Sequence, residues 1–385
     1  MRSNNCTNRI KHPWVPAFFA VACVMIVLTA CWSDLDGVHD KLGTSLPDPF
    51  KNATTPGDMV SIQLNTQIIN FIYANNRDTI TFPYSPVADT PANDQVATLT
   101  RKFFMSETEV TNASMRAVLQ WAYDHGRFSD VIGDHNGIDD SSVKYGERYI
   151  VNLDNAKISF NTVTKKFSVE TGYENHPVTW VNWYGAVMFC NWLTEMRDGA
   201  GNTGNLVYTG IDGTWEDEET VANNDRTGYR LPSIREWEYT ARYIGTAEPT
   251  EENLFSEYIA KDVRGGHADL TEGYYWTPGG YASGALKSCD NDTETRAVAW
   301  YPGMSGGDEL KPVAHESLNP NQLGIYDMSG NVYEWCFTAS GTLNRVYRGG
   351  AFSATTTDDL RVGSWTSDLP GERNATTGFR ISRTQ

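Results

Sequence analysis

What most constrains the fold of this chain is how little of it is periodic. Three stretches carry the spacing of an amphipathic helix, a few short runs alternate as strands do, and the rest is loop rich in Gly, Asp, Asn and Thr. The apolar mass sits instead in rings: 12 Trp, 19 Tyr and 15 Phe. Such a chain must close its core with large aromatic side chains under irregular connections. That predicts an α+β fold with few regular elements and long loops.

The helices are expected at 113–125, capped by Thr111 or Asn112 and stopped by Gly126, and at 183–197, capped by Asn182. A third opens at Ser233, where Ser233-Ile-Arg-Glu236 fits a capping box. Met115, Val118, Leu119 and Ala122 share one face of the first helix. Ala186, Phe189, Cys190 and Leu193 form the buried stripe of the second, which makes Cys190 a core thiol. Alternation predicts strands at 60–64 and 68–73, a single strand over 97–105, and short pieces at 298–301, 332–335, 345–348 and 378–381. Residues 127–175 and 246–295 read as insertions, the first with a hairpin pairing 157–160 with 166–169.

The first thirty residues read as an address. Arg2, Arg9 and Lys11 form a basic region, and residues 15–30 are apolar apart from Thr29, too short a run for a stable spanning helix. Leu28-Thr29-Ala30-Cys31 is similar to a bacterial lipobox. Small residues admit the peptidase, and the Cys31 thiol is the group that carries diacylglycerol. The expectation is a signal peptide over 1–30 and lipidation at Cys31. The protein would then be held in the bacterial envelope, at the outer membrane or cell surface, by its acyl chains. Residues 31–57, rich in Asp, Gly, Pro and Thr, read as a tether, and 58–385 as the folded domain.

Removing the signal takes three basic residues and no acids, leaving 28 basic against 48 acidic and a mature charge of −20. Such a surface repels nucleic acid, which is excluded as a partner. Cys6 and Cys23 leave with the signal and Cys31 is acylated, so Cys190, Cys289 and Cys336 remain. That allows at most one disulfide and leaves a spare thiol, and no cysteine has zinc-site spacing.

Six blocks then follow in order between residues 97 and 383. They are Phe103-Phe-Met-Ser-Glu-Thr-Glu-Val-Thr-Asn, His176-Pro-Val-Thr-Trp-Val-Asn-Trp, and Gly228-Tyr-Arg-Leu-Pro-Ser with Glu236-Trp-Glu-Tyr. After these come Leu323-Gly-Ile-Tyr-Asp-Met-Ser-Gly-Asn-Val-Tyr-Glu-Trp, Arg348-Gly-Gly and Gly378-Phe-Arg. Together they resemble the formylglycine-generating enzyme, or sulfatase-modifying factor, family. The resemblance implies a C-type-lectin-type α+β fold whose binding cleft is built largely by the C-terminal segment.

Asp327 and Glu334 place two hard carboxylates around Gly330, which lets the backbone turn sharply. Residue chemistry alone fits either a cation site or a plain Asp/Gly turn. The resemblance implies a structural calcium held by the side chains of Asp327 and Glu334 and the carbonyls of Gly330 and Val332.

The family's oxidase binds copper through two cysteine thiolates that follow Arg-Gly-Gly, because Cu(I) selects sulfur. In this chain those positions hold Ala354 and Asp359, and no cysteine follows Cys336. No copper and no catalytic residue are expected.

Residues 351–377 are mostly small and polar around a few aromatics, as in paratopes. From composition alone a solvated loop fits as well. The resemblance implies a binding face made of Phe352, Thr355, Thr356, Thr357, Asp358, Asp359, Arg361, Trp365, Asp368 and Asn374. With its lipobox and this segment ahead of Gly378-Phe-Arg, the chain also resembles the treponemal variable lipoproteins, which are diversified by retroelements. The leading expectation is therefore a non-catalytic surface lipoprotein that binds an external protein or glycan. One alternative is an oxidoreductase of the family with altered chemistry, and another is a structural envelope component.

Overall fold

A computed structural model describes residues 49–64, 67–85, 95–128, 130–132, 141–211, 221–245, 259–261, 274–276, 280–286, 292–302 and 309–385. The signal segment, Cys31 and most of the expected tether lie outside the described residues, as do Cys289 and most of the insertion at 246–295. Among the described residues no helix is long and apolar enough to cross a membrane.

The strands that position the site are β1 (Met59–Leu64), β2 (Gln67–Asn75), β3 (Phe103–Ser106), β4 (Tyr229–Arg230), β5 (Tyr333–Ser340), β6 (Asn344–Arg348), β7 (Trp365–Asp368), β8 (Thr377–Gly378) and β9 (Ser382–Thr384). The helices are α1 (Asn112–Asp124), α2 (Trp183–Asp198) and α3 (Ile234–Arg242). Five strands form an antiparallel sheet in the order β1-β2-β3-β9-β4, with Val60 opposite Phe71 and Arg383 opposite Phe104. A second sheet runs β7-β6-β5-β8, its β5–β8 pair parallel with Glu334 opposite Gly378. Residues 377–384 therefore belong to both sheets, and the chain's last strand lies inside the first sheet rather than at its edge.

Local chemistry sets the helix starts. The Thr111 hydroxyl accepts the Ser114 N–H at 3.1 Å, and the Asn182 side chain accepts the Gly185 N–H at 2.9 Å. Ser233 and Glu236 close the capping box that opens α3. The α1 stripe of Met115, Val118, Leu119 and Ala122 is buried. Helix α2 goes further: every residue from Trp183 to Glu195 is buried, so it is a central helix rather than one with a single buried stripe.

The single strand expected over 97–105 is two. Residues Gln95–Leu99 pair with Ile80–Tyr84 in a separate hairpin, and β3 joins the main sheet. The break at residues 100–102 is fixed by Asn75, whose side-chain amide donates to the Arg101 carbonyl at 2.8 Å. Residues 298–301 make one isolated bridge, Trp300 to Gly330, instead of a strand. Of the piece at 378–381 only Gly378 is strand, in β8; residues 379–381 connect it to β9, and Arg380 among them reaches Glu334.

Residues 49–57, read from composition as the end of a tether, pack on the first sheet. Phe50 is buried against Phe71 and Phe104, with ring centroids 5.4 and 4.9 Å apart, and the Arg383 guanidinium lies 3.9 Å over its ring. The hairpin expected near 157–169 forms as Ile158–Asn161 with Lys166–Val169. Through Val143, Ile150, Leu153 and Phe167 this stretch shares one apolar core with α1 and α2.

Candidate functional site

Ion pairs between the sequence blocks hold the interior together. Glu236 takes Arg230 through two bonds of 2.7 Å. Glu238 takes both Arg242, at 2.7 Å, and Arg348, at 2.5 Å, and all three are fully buried. Arg348 is the arginine of Arg348-Gly-Gly, so that block is tied to α3. Glu334 receives Arg380 at 2.6 and 2.7 Å and the Trp237 indole N–H at 2.7 Å. Two glycines are required at this junction. A Cβ on Gly330, at φ +86°, would meet the Trp300 carbonyl oxygen at 2.4 Å, and one on Gly378 would meet the Val178 carbonyl oxygen at 2.5 Å.

Beside the Glu334–Arg380 pair lie two more buried carboxyls, Glu109 and Asp327. Asp327 sits at φ +57° and accepts the Ala314 N–H at 2.7 Å. Burial pushes its pKa up to about 6, with Glu334 adding to the rise and the Ala314 N–H and Arg380 opposing it. Glu109 is raised well above the ordinary range, first by burial and then by the charge of Asp327.

These atoms bear on the calcium expected at Asp327, Gly330, Val332 and Glu334. The side chains here are hard oxygen donors, the chemistry calcium prefers. Glu334, however, has little capacity left, since three of the roughly four lone-pair positions of a carboxylate are filled by Arg380 and Trp237. Among the described residues no three His, Cys, Asp or Glu side chains close on one point as a metal set. A cation here would therefore rest on at most two carboxylates together with backbone carbonyls.

The C-terminal face carries a cavity of about 470 Å³. Asp359, Ser364 and Trp365 line it, as does β7 through Thr366 and Ser367, with Tyr333 and Tyr347 from β5 and β6. The tyrosine rings meet edge to face with centroids 5.1 Å apart. Burial raises the Tyr347 phenol and the charge of Asp368 adds to it. The Trp365 ring is half-buried, and its indole N–H is enclosed without a hydrogen-bond partner.

The ten residues expected on this face do not act as one set. Asp359 and Trp365 line the cavity, and Asp368 lies beside Tyr347. Thr355, Thr356 and Asp358 are exposed, Phe352 is half-buried, and Thr357 opens the short turn Thr357–Leu360. Arg361 pairs with Asp358 at 2.6 Å. Asn374 is committed to a turn: its side-chain oxygen accepts from Thr376, and its carbonyl accepts the Trp180 N–H at 2.9 Å. Tyr333 and Tyr347 were not expected here. The available signal was that each is a large polar ring alternating with buried neighbours on its strand.

The two positions that the resemblance sets against the family's thiolates are differently placed. Ala354 is buried in a small cluster with Leu360 and Val298, whereas Asp359 lines the cavity. The thiols of Cys190 and Cys336 are free and buried, and burial pushes both pKa values up.

Residues 50–385 match the family model described as "Sulfatase-modifying factor enzyme 1-like domain", and the chain belongs to that family. It is 30% identical over 185 residues to "Chaperone protein LppX" of Paenibacillus barcinonensis, a match covering 43% of this chain and 52% of that one. With the formylglycine-generating enzyme of Streptomyces coelicolor it shares 24% identity over 240 residues, 55% of this chain and 54% of the enzyme. The matches thus span about half the length of these curated relatives. Among solved structures, Treponema denticola variable protein 1 superposes with a TM-score of 0.48 at 21% identity, over 85% of this chain and 99% of that one.

Proposed function

We propose that this protein is a non-catalytic member of its family, a lipid-anchored envelope protein that binds an external protein or glycan through its C-terminal face. The observation that carries the reading is the cavity beside β7, lined by Asp359 and by Trp365, whose indole N–H is enclosed with no partner. An enclosed donor without an acceptor costs free energy, which a ligand that turns the Trp365 ring outward and accepts from it recovers on binding. Aromatic side chains beside adaptable hydroxyls are the composition of paratopes. A structural calcium near Asp327 belongs to the same reading, as a brace beneath the face.

The test is capture from host and bacterial surface extracts and from a glycan array, comparing wild type with Asp359→Ala and Trp365→Phe. The phenylalanine variant keeps the ring's packing and removes only the indole N–H. Loss of a saturable, identified ligand in both variants, with unchanged melting temperature, is the expected result. If both variants retain every ligand that the wild type binds, the face is not the binding site.

A further inference from the structure

Successive residues from Ser364 to Ser367 line the cavity of the C-terminal face. Side chains alternate between the two faces of a strand, so a run of neighbours cannot all reach a space that lies over one face. The register locates the space. Thr366 stands opposite Tyr347, which stands opposite Trp335, two residues from Tyr333, so these share one face of the sheet. Trp365 stands opposite Arg348 on the other face. The cavity touches residues of both faces because it passes round the edge of β7.

That edge is open. Among the described residues β7 pairs with β6 alone, without a bulge, from Arg345 opposite Asp368 to Arg348 opposite Trp365. In an antiparallel pair only alternate residues turn their N–H and C=O toward the partner, so the others of β7 turn theirs to the open side. Proteins usually blunt such an edge with lysine, proline or a bulge. Trp365-Thr-Ser-Asp has none of these, and none of its residues is fully buried.

Charge selects among partners. Asp359 lines the cavity, and no Lys, Arg or His is among the described residues that line it. The charge of Asp368 reaches the Tyr347 phenol, and the guanidinium of Arg361 is held by Asp358 at 2.6 Å. Tyrosine rings beside a carboxylate attract an ammonium or a guanidinium. Resting on the reading of the C-terminal face above, we infer that its ligand is an extended polypeptide segment, which pairs with β7 as an added strand of the second sheet and directs a lysine or arginine toward Asp359 and the two tyrosines. Backbone bonds along β7, about 13 Å at about 3.3 Å per residue, supply affinity whatever the sequence. The cavity supplies the preference for a basic side chain. A glycan carries no row of N–H and C=O groups at strand spacing and would use the cavity only.

The experiment uses the full mature chain to select binders from a displayed library of random decapeptides. The expected selection holds Lys or Arg within a run of β-favouring residues. A selected peptide is then made with one backbone N-methyl group at each position in turn. Methylation should weaken binding about tenfold at alternate positions and little at those between, since only alternate N–H groups bond to β7. Bound peptide should slow amide hydrogen exchange within Trp365–Asp368. Asp359→Asn should weaken the basic peptide, but not a version with norleucine in place of its basic residue. A library that yields no saturable peptide, a selection without basic residues, or affinity that survives methylation at every position overturns the inference. So does a ligand set made of glycans alone. In each of these cases the reading of the face stands if Asp359→Ala and Trp365→Phe still abolish capture of a ligand, and falls with the inference if they do not.

Discussion

Arg380 and Glu334 meet through two hydrogen bonds of 2.6 and 2.7 Å although 46 residues separate them, and neither side chain is exposed. The contact lies where the C-terminal segment passes from β8 into β9, so one ion pair fixes the crossing between the two sheets.

Removing one partner of such a pair leaves the other charged and dry. Arg380→Ala is therefore expected to destabilise the protein by about 3–5 kcal/mol. Arg380→Lys should recover only part of the loss, because a lysine lacks the fork that bonds both carboxylate oxygens. Urea denaturation read by tryptophan fluorescence measures both variants, and a loss below about 1 kcal/mol for the alanine variant contradicts this role.

The Arg230–Glu236 pair gives a pH signature. Burial pushes the Glu236 carboxyl up, but Arg230 and the Ser233 N–H outweigh it, and the pKa lies below its ordinary 4.5. A depressed carboxyl contributes stability that is present above pH 4.5 and lost as pH falls through the folded-state value. Wild type should melt higher than Glu236→Gln at neutral pH, and the gap should narrow below pH 4.5. A gap that stays constant down to pH 3 would show that the charge of Glu236 is not what stabilises the cap.

Which parts of this architecture could be read from the sequence follows from how local each one is. The starts of α1, α2 and α3 were legible because Thr111, Asn182 and Ser233 act within three residues of themselves. The motif blocks gave the family, but not that Arg348 answers Glu238, or Arg380 Glu334, since nothing local pairs residues 110 or 46 positions apart. Tyr333 and Tyr347 escaped notice because their place in the cavity depends on β5 and β6 lying side by side. Asn374 looked like a binding residue by type, yet its side chain serves its own turn. Glu109 was one letter in a block, and only its burial without a donor singles it out.

Acylation at Cys31 is the expectation raised by the order of basic region, apolar run and Leu28-Thr29-Ala30-Cys31. Metabolic labelling with a fatty acid should mark the wild type and not Cys31→Ser, and the serine variant should leave the membrane fraction. Equal labelling of the two would remove the anchor from the proposed function.

No formylglycine should form when the protein is supplied with a sulfatase-type cysteine peptide, copper and oxygen. Copper chemistry of that kind needs two soft thiolates at one ion, and Ala354 and Asp359 provide neither. The remaining thiols do not substitute. Cys190 and Cys336 are buried, and burial holds both in the protonated form, which is a poor ligand and nucleophile. Nor should the double substitution Ala354→Cys with Asp359→Cys restore activity by itself. Ala354 packs against Leu360 inside a small apolar cluster, while Asp359 lines the open cavity, so the two new thiols would begin in different environments. Mass spectrometry of the peptide after incubation reads both experiments. An aldehyde product above the no-protein control from the wild-type chain would restore the oxidoreductase reading. Activity in the double variant alone would mean that the face has kept the geometry for catalysis and lost only its sulfur.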